Sequence, residues 1–477
     1  MSGRASAKLQ TIGESCRALL RDSIRSLIDW VVEQVPLFQS IAEQLAARLK
    51  PKTKAYFLPL ILGVLLAIGR RRTVTQWIQA AQLSDDYRQV FYHTSHIGKD
   101  HQKLSDEMLK IITTQLAAII ATVATIRLVL DDSPTKRYGS KVEGAGYHYN
   151  PTPGKTNATK CFGHSWVVAA LVITHPFFGE VSFPIAAELY LRQKEIAKLE
   201  AKYGRKFKKK TELVVEMVKR LVPKFKAFGK PIEIIVDGGY AKDTVLIPLG
   251  KLDNVMTTTR LRRDAVVFEI PLPPTKRGRG RPRVYGDRMA MKSMVESDAG
   301  WTIISCRLYG QTAKKRVKSF EAVSKLTKGK KVRVVIIKED DGTWVPLMCT
   351  DISRSAKEIL ESYGVRFGIE EMFKDLKEVW GWGKQEVRLL ERNEAATAMN
   401  MLLYGMTELA TWERSQEELV DRSESPWDDA KRRPSHSDRR NFLRRAILMQ
   451  ELNAVMDWNF IPSKIISLLK RAMQLAA

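Results

Sequence analysis

Three carboxylates stand out by position in a chain dominated by basic residues: Asp132, Asp237 and Glu370. Asp132 closes the apolar run 126–130 after Asp131, and Asp237 follows the run 232–236. Both runs read as strands. A carboxylate at a strand's C-terminal end projects from the edge of the sheet, where a divalent cation can reach it. Capping a turn is the more ordinary use of aspartate at such a place. Glu370 belongs with Tyr363, Arg366 and Lys377, at intervals of three, four and seven residues. At ~100° per residue these four fall within a stripe of roughly 60° on one helix. That face presents a hydroxyl, two cations and a carboxylate, while Phe367, Ile369 and Met372 lie off its centre and remain for packing. The spacing alone equally describes a surface helix with an Arg366–Glu370 ion pair one turn apart.

The elements that must hold these residues change character along the chain. Residues 1–124 read as helical, with Leu19, Leu20, Ile24, Leu27, Ile28 and Val31 recurring at three and four. The apolar run 55–69 is shorter than the ~20 residues of a membrane span and reads as a buried helix. With 16 basic and 10 acidic residues over 1–125, this region fits either a helical DNA-end-binding module or a helical cap with a solvated basic face. From Thr125 the pattern becomes strand-like, at 126–130, 166–173 and 181–187. A long charged helix at 193–228, the strand 232–236, a short helix and the run 255–259 follow. Three strands, helix, strand, helix, strand is the order of a ribonuclease-H-like core. The expected fold class is therefore α/β, a mixed-sheet core over 125–260 and 351–383. A β-rich insertion over 261–350 interrupts it, and a helical C-terminal region over 384–477 follows, broken by a polar segment near 422–440.

The chain's 477 residues carry 79 Lys+Arg against 53 Asp+Glu, a formal charge of +26. Such a balance favours a polyanionic partner, and a 44% hydrophobic content excludes wholesale disorder. The start, Met1-Ser2-Gly3-Arg4, has no apolar segment of a secretory signal, and Cys16, Cys161, Cys306 and Cys349 form no Cys-x-x-Cys pair. No membrane association and a cytoplasmic setting are expected. Residues 196–290 hold 23 Lys+Arg and 10 Asp+Glu, so half of the excess charge lies in a fifth of the chain. One cluster, Lys202, Arg205, Lys206, Lys208, Lys209 and Lys210, reads as a solvated helix face. Another is Arg279-Gly280-Arg281-Pro282-Arg283. Arginines spaced by Gly and Pro stay extended and slim, which suits a narrow A·T minor groove as well as a solvated loop.

The string Tyr-x2-Arg-x3-Glu-x6-Lys at 363–377 resembles the YREK signature of the insertion-sequence DDE transposases. Asp237, in Ile-Val-Asp-Gly-Gly-Tyr, matches that family's second aspartate. Leu-Val-Leu-Asp-Asp-Ser-Pro at 128–134 resembles its first-aspartate block, pointing to Asp132 with Asp131 as the alternative. The likeness covers about 125–380, and the stretch 136–139 and the Arg-Gly-Arg-Pro-Arg string resemble one branch of the family.

The resemblance implies an enzyme that cuts DNA at the ends of its insertion sequence and joins the 3′-OH ends to target DNA. The chemistry is metal-dependent hydrolysis followed by transesterification. It implies two Mg2+ ions, with Mn2+ as substitute, held by Asp132, Asp237 and Glu370. Arg366 and Lys377 would bind phosphates flanking the scissile bond, Tyr363 would donate to one, and Arg279, Arg281 and Arg283 would contact DNA. An aromatic stack from the insertion, with Trp301 and Trp344 as candidates, would receive an unstacked base. The implied partners are double-stranded DNA, as terminal inverted repeats and target, and a second copy of the chain in a homodimer on DNA. The C-terminal helices are a candidate interface. The implied location is the prokaryotic nucleoid. The alternative readings are a DNA-binding protein or a structure-selective nuclease on the same fold, without strand joining.

Overall fold

The computed structural model describes residues 35–67, 72–150, 158–272, 283–420, 422 and 426–455. The N-terminal stripe at 19–31 and the arginines Arg279 and Arg281 lie outside them. The chain divides into two compact units. The described parts of the first fall within 35–112, 375–387 and 391–455, and the second is 113–374 with 388–390.

The first unit begins with helices α1 (Val35–Ala46), α2 (Pro51–Leu66), α3 (Val74–Ala80), α4 (Tyr87–Lys99) and most of α5 (His101–Gln115). Residues 55–66 of the apolar run lie in α2, which buries Phe57, Leu60, Ile61, Val64 and Leu65, and the run's last two residues lie outside the described ones. No helix of the described residues is long and apolar enough to cross a membrane.

In the second unit, α6 (Ala117–Thr122) leads into β1 (Ile126–Lys136), β2 (Gly146–Tyr149), β3 (Lys160–His175) and β4 (Gly179–Tyr190). Helices α7 (Gln193–Tyr203) and α8 (Lys210–Leu221) precede β5 (Ile232–Val236), α9 (Asp243–Leu249) and β6 (Val255–Arg260). β3 runs antiparallel to both β1 and β4, while β5 is parallel to both β1 and β6. The order β4-β3-β1-β5-β6 with that mixture of directions is a ribonuclease-H-like core. Its centre is dry: Leu128, Val129, Leu130, Val167, Val168, Ile234, Ile235 and Val236 are fully buried. Strands covered on both faces read as continuous apolar runs, which is why these were legible.

The strand expected to end at Leu130 runs six residues further, through both aspartates to Lys136, because β3 pairs with it as far as Gly163. The long helix expected over 193–228 is two helices and a 3-10 turn. Gly204, at φ +64°, ends α7, and Pro223 opens the turn Val222–Phe228. A left-handed residue after a helix is the usual place for glycine.

The segment 261–350 adds β7 (Val267–Phe268), β8 (Arg288–Met289), α10 (Met291–Glu296), β9 (Thr302–Leu308), β10 (Gln311–Val323), β11 (Lys331–Lys338) and β12 (Trp344–Cys349). β12 pairs antiparallel with β6, and β11 and β10 follow, so these strands extend the core sheet. Two helices then return across the core, α11 (Ala356–Gly364) and α12 (Phe367–Glu378).

The chain passes into the first unit at Asp375, within α12, and after 388–390 returns to it along α13 (Leu390–Ala410), α14 (Gln416–Leu419) and α15 (His436–Val455). His436 is its polar centre. Its ring accepts from Trp380 Nε1 at 2.8 Å, lies 2.6 Å from Glu408 and stacks on Tyr404 at 4.0 Å. Arg440 donates to the Leu65 and Ala67 carbonyls at 2.9 and 3.1 Å, satisfying acceptors that the end of α2 leaves without helical partners. Burial, with Arg72 and Arg444 nearby, pushes the Arg440 guanidinium down to about 8. N- and C-terminal helices thus share one core.

β1 and β3 approach so closely at Gly163 that a Cβ there would sit 2.0 Å from the Thr135 carbonyl oxygen. Gly163→Ala is expected to cost about 1–3 kcal/mol, as overpacking does. Calorimetry should show a fall in Tm of roughly 3–10 °C, taking ~2–4 °C per kcal/mol.

Candidate active site

The site is built by alternation along β1 and its register with β5. Side chains on a strand point to opposite faces in turn, so Arg127, Val129 and Asp131 share one face. The parallel pairs run from Ile126 on Ile232 to Leu130 on Val236, and one step further Asp131 stands level with Asp237. Glu233 lies on that same face. It is fully buried and accepts hydrogen bonds from Thr258 at 2.6 Å and Ser362 at 2.9 Å, with Arg354 at 3.5 Å and Arg127 at 3.9 Å. Ser362 is on α11, so this network seats α11 on the face that carries Asp131 and Asp237.

Helix α11 starts where its sequence says it should. Ser355 caps it, accepting from the Glu358 N–H, and Glu358 reaches back to the Ser355 N–H. The stripe expected on one helix is divided between two. α11 ends at Gly364, and i→i−3 bonds, Arg366 to Tyr363 and Ile369 to Arg366, tighten the junction before α12 continues. Tyr363 therefore sits on α11, Arg366 in the junction, Glu370 in the first turn of α12 and Lys377 in its last.

Arg366 links the carboxylates. Its guanidinium lies 3.1 Å from Asp131 and 2.6 Å from Glu370. Tyr363 donates to Asp237 at 3.5 Å. Burial, with Asp237 alongside, pushes the Tyr363 phenol up to about 12, so it remains a donor at neutral pH.

Asp132 points to the opposite face. There Lys210, the first residue of α8, lies 2.5 Å from one carboxylate oxygen, and Tyr240 donates to the other at 2.8 Å. Tyr240 belongs to the 3-10 turn Gly238–Tyr240 that directly follows Asp237. Burial first, then the Asp132 charge, raises the Tyr240 phenol and keeps it protonated.

The neighbourhood thus holds Asp131, Asp132, Asp237, Glu370, Tyr363 and Arg366, together with Lys210 and Tyr240. Lys210 was hidden in a run of like charges, and its place at the end of that run, where α8 begins, was the available signal. Arg283 pairs with Asp287 at 2.8 Å on an exposed loop. Trp301 and Trp344 pack against the hydrophobic cluster of the added strands, and Arg316, Lys318 and Lys338 surround the Trp301 ring at 4.8–5.8 Å.

All the acidic donors are carboxylate oxygens, the ligand type that hard divalent cations prefer. As they stand, Arg366 and Lys210 occupy their lone pairs, and among the described residues no three acidic, His or Cys side chains close into a metal-holding group. The donor chemistry suits a divalent cation once Arg366 turns away, for example toward a phosphate.

The sequence profile of the DDE superfamily endonucleases matches residues 44–319, more than half of the chain. The chain belongs to that family. The match spans Asp131, Asp132 and Asp237 and ends before Glu370. Among solved structures, a piggyBac transposase synaptic complex with hairpin DNA is similar with a TM-score of 0.31 at 11% identity. The likeness covers 70% of this chain and 55% of that one, so the chain spans about half the length of that relative. No curated protein matches the sequence.

Burial, with Asp132 and Asp237 adding to it, raises the Asp131 carboxyl from 3.8 to about 7. The folded chain therefore holds this proton more tightly than the unfolded one. The resulting stability is complete below about pH 4 and lost as pH rises through 7. In chelator, Asp131→Asn, which stays neutral, should raise Tm over wild type more at pH 8 than at pH 5. Equal shifts by calorimetry at the two pH values would remove the assignment.

Proposed function

We propose that this DDE endonuclease is a transposase of the insertion-sequence type. It cleaves DNA at the ends of its element and joins the freed 3′-OH ends to target DNA. The observation that carries the reading is the shared face: Asp131, Asp237 and Glu370 meet Tyr363 and Arg366 over one edge of the ribonuclease-H-like sheet. The match of 363–377 to the YREK signature supports it.

Asp237 and Glu370 would hold Mg2+, or Mn2+ in its place, together with one aspartate of β1. The resemblance names Asp132 for that role, and the face argument favours Asp131. When bound, such ions supply Lewis acidity and an activated oxygen nucleophile. The chain's own groups do the rest. Arg366 exchanges its carboxylates for a phosphate oxygen, Tyr363 donates a hydrogen bond beside it, and Lys377 offers a second cation from the far end of α12. The reading carries double-stranded terminal repeats and target DNA as partners, a homodimer that holds two ends, and work at the nucleoid. Arg279, Arg281 and Arg283 are proposed DNA contacts of the insertion.

Asp237→Ala and Glu370→Ala should each abolish magnesium-dependent cleavage of terminal-repeat DNA while leaving its binding intact. Retained cleavage by either variant sinks the proposal. Asp131→Asn and Asp132→Asn separate the two β1 candidates, since only the ligand's loss abolishes cleavage. A precleaved 3′-OH end that yields no joined product would leave a nuclease without strand transfer. In a binding readout, Mg2+ at a hundredfold over its Kd should stabilise the wild type by about 2.7 kcal/mol, and Asp237→Asn should lose that shift.

A further inference from the structure

Among the described residues β2 ends the strand order of the sheet, and it carries a surface that the carboxylate site does not use. β2 is a four-residue strand, Gly-Tyr-His-Tyr, paired with one end of β3. Alternation turns His148 inward at 8% exposure and Tyr147 and Tyr149 outward at 63% and 76%. Tyr147 stands opposite Phe162, with the rings edge to face at 5.3 Å, and Tyr149 stands opposite the exposed Lys160. Lys136, paired with Gly163, lies on the opposite, His148 face. Over 136–150 the sequence has one carboxylate, Glu143, and it is engaged by Lys202, Tyr203 and the Leu390 N–H.

Single exposed apolar side chains are ordinary, but a grouped set with a polar rim marks a contact surface. Here the residue paired with Tyr149 is the exposed cation Lys160, which complements a polyanion. Exposed rings beside an ammonium group match a nucleic-acid strand that offers base faces and phosphates together. A duplex presents only base edges in its grooves, whereas ring faces are reached by bases that have left the stack. The surface is separate from the carboxylates: Arg137, whose N–H bonds the Phe162 carbonyl, lies six residues along from Asp131, about 20 Å at ~3.3 Å per residue.

We propose that the β2 edge binds a single DNA strand, stacking bases on Tyr147 and Tyr149 and holding a phosphate with Lys160. The proposal rests on the reading of the chain as a DNA-processing enzyme and adds a strand-holding site to it.

The test is fluorescence anisotropy on the full chain in chelator, with a labelled oligothymidylate and a duplex of equal length. Tyr147→Ala with Tyr149→Ala should weaken oligothymidylate binding about tenfold or more and leave duplex binding unchanged. The paired Tyr→Phe changes should keep the affinity, because the ring is retained. Lys160→Ala should lower the salt slope by roughly 0.7. Unchanged oligothymidylate affinity in the alanine pair overturns the proposal, as does an equal loss on duplex. A loss of self-association by light scattering with DNA affinity intact overturns it too, and gives the edge to a second copy of the chain. Terminal-repeat cleavage measured in parallel keeps the two ideas apart. Intact cleavage with tyrosine-independent binding removes only this site, and absent wild-type cleavage with tyrosine-dependent binding removes only the nuclease reading.

Discussion

The parallel pairing of β1 with β5, in which Leu130 lies opposite Val236, decides which carboxylates can work together. Side chains alternate with a period of two, so a slip of one residue would exchange Asp131 and Asp132 between faces. The apolar residues around this point do not fix the register alone, since Leu128 to Leu130 and Ile234 to Val236 are buried whichever way they face. Glu233 does. Its buried carboxylate fits only where Thr258, Ser362 and Arg354 can reach it, and a slip would strand a charge in the core. The same residue thereby seats α11, and with it Tyr363, over Asp237.

Charge balance around the site follows from this placement. Arg366 serves Asp131 and Glu370 on one face, and Lys210 serves Asp132 on the other. Both tyrosines are held protonated by burial and neighbouring carboxylates, so each acts as a donor. The protein's own cations therefore compete with any ligand for the carboxylates, while Arg366 is attracted to any phosphate that approaches.

Much of this was legible in the sequence, and the misses have physical causes. Asp237 was visible because β5 is a short, fully buried run that stops at it. Glu370 was visible through its spacing from Tyr363, Arg366 and Lys377. The end of β1 was not legible, because Asp131 to Lys136 are held in the sheet by pairing with β3 and not by their own apolar character. The single helical stripe broke at Gly364, where a Cβ would sit 2.8 Å from Leu308 of a strand nearly sixty residues earlier. Such close approaches leave no local signature. β2 was missed because four residues with two outward tyrosines carry too little apolar pattern. The joining of N- and C-terminal helices through Arg440 depends on contacts across hundreds of residues, which periodicity does not encode.

The unbroken ladder from β5 through β6, β12 and β11 to β10 has a geometric consequence. Neighbouring strands rotate by roughly 20–25° relative to one another. At that ordinary rate, the four steps from β5 to β10 accumulate to about 80–100°. The β9–β10 hairpin reaches the junction of α11 and α12. Leu308 meets Gly364 there, Tyr309 meets Phe367 edge to face at 5.3 Å, and Glu361 accepts the Arg307 N–H at 2.8 Å. A hairpin from the added segment thus braces the corner from which Arg366 reaches the carboxylates.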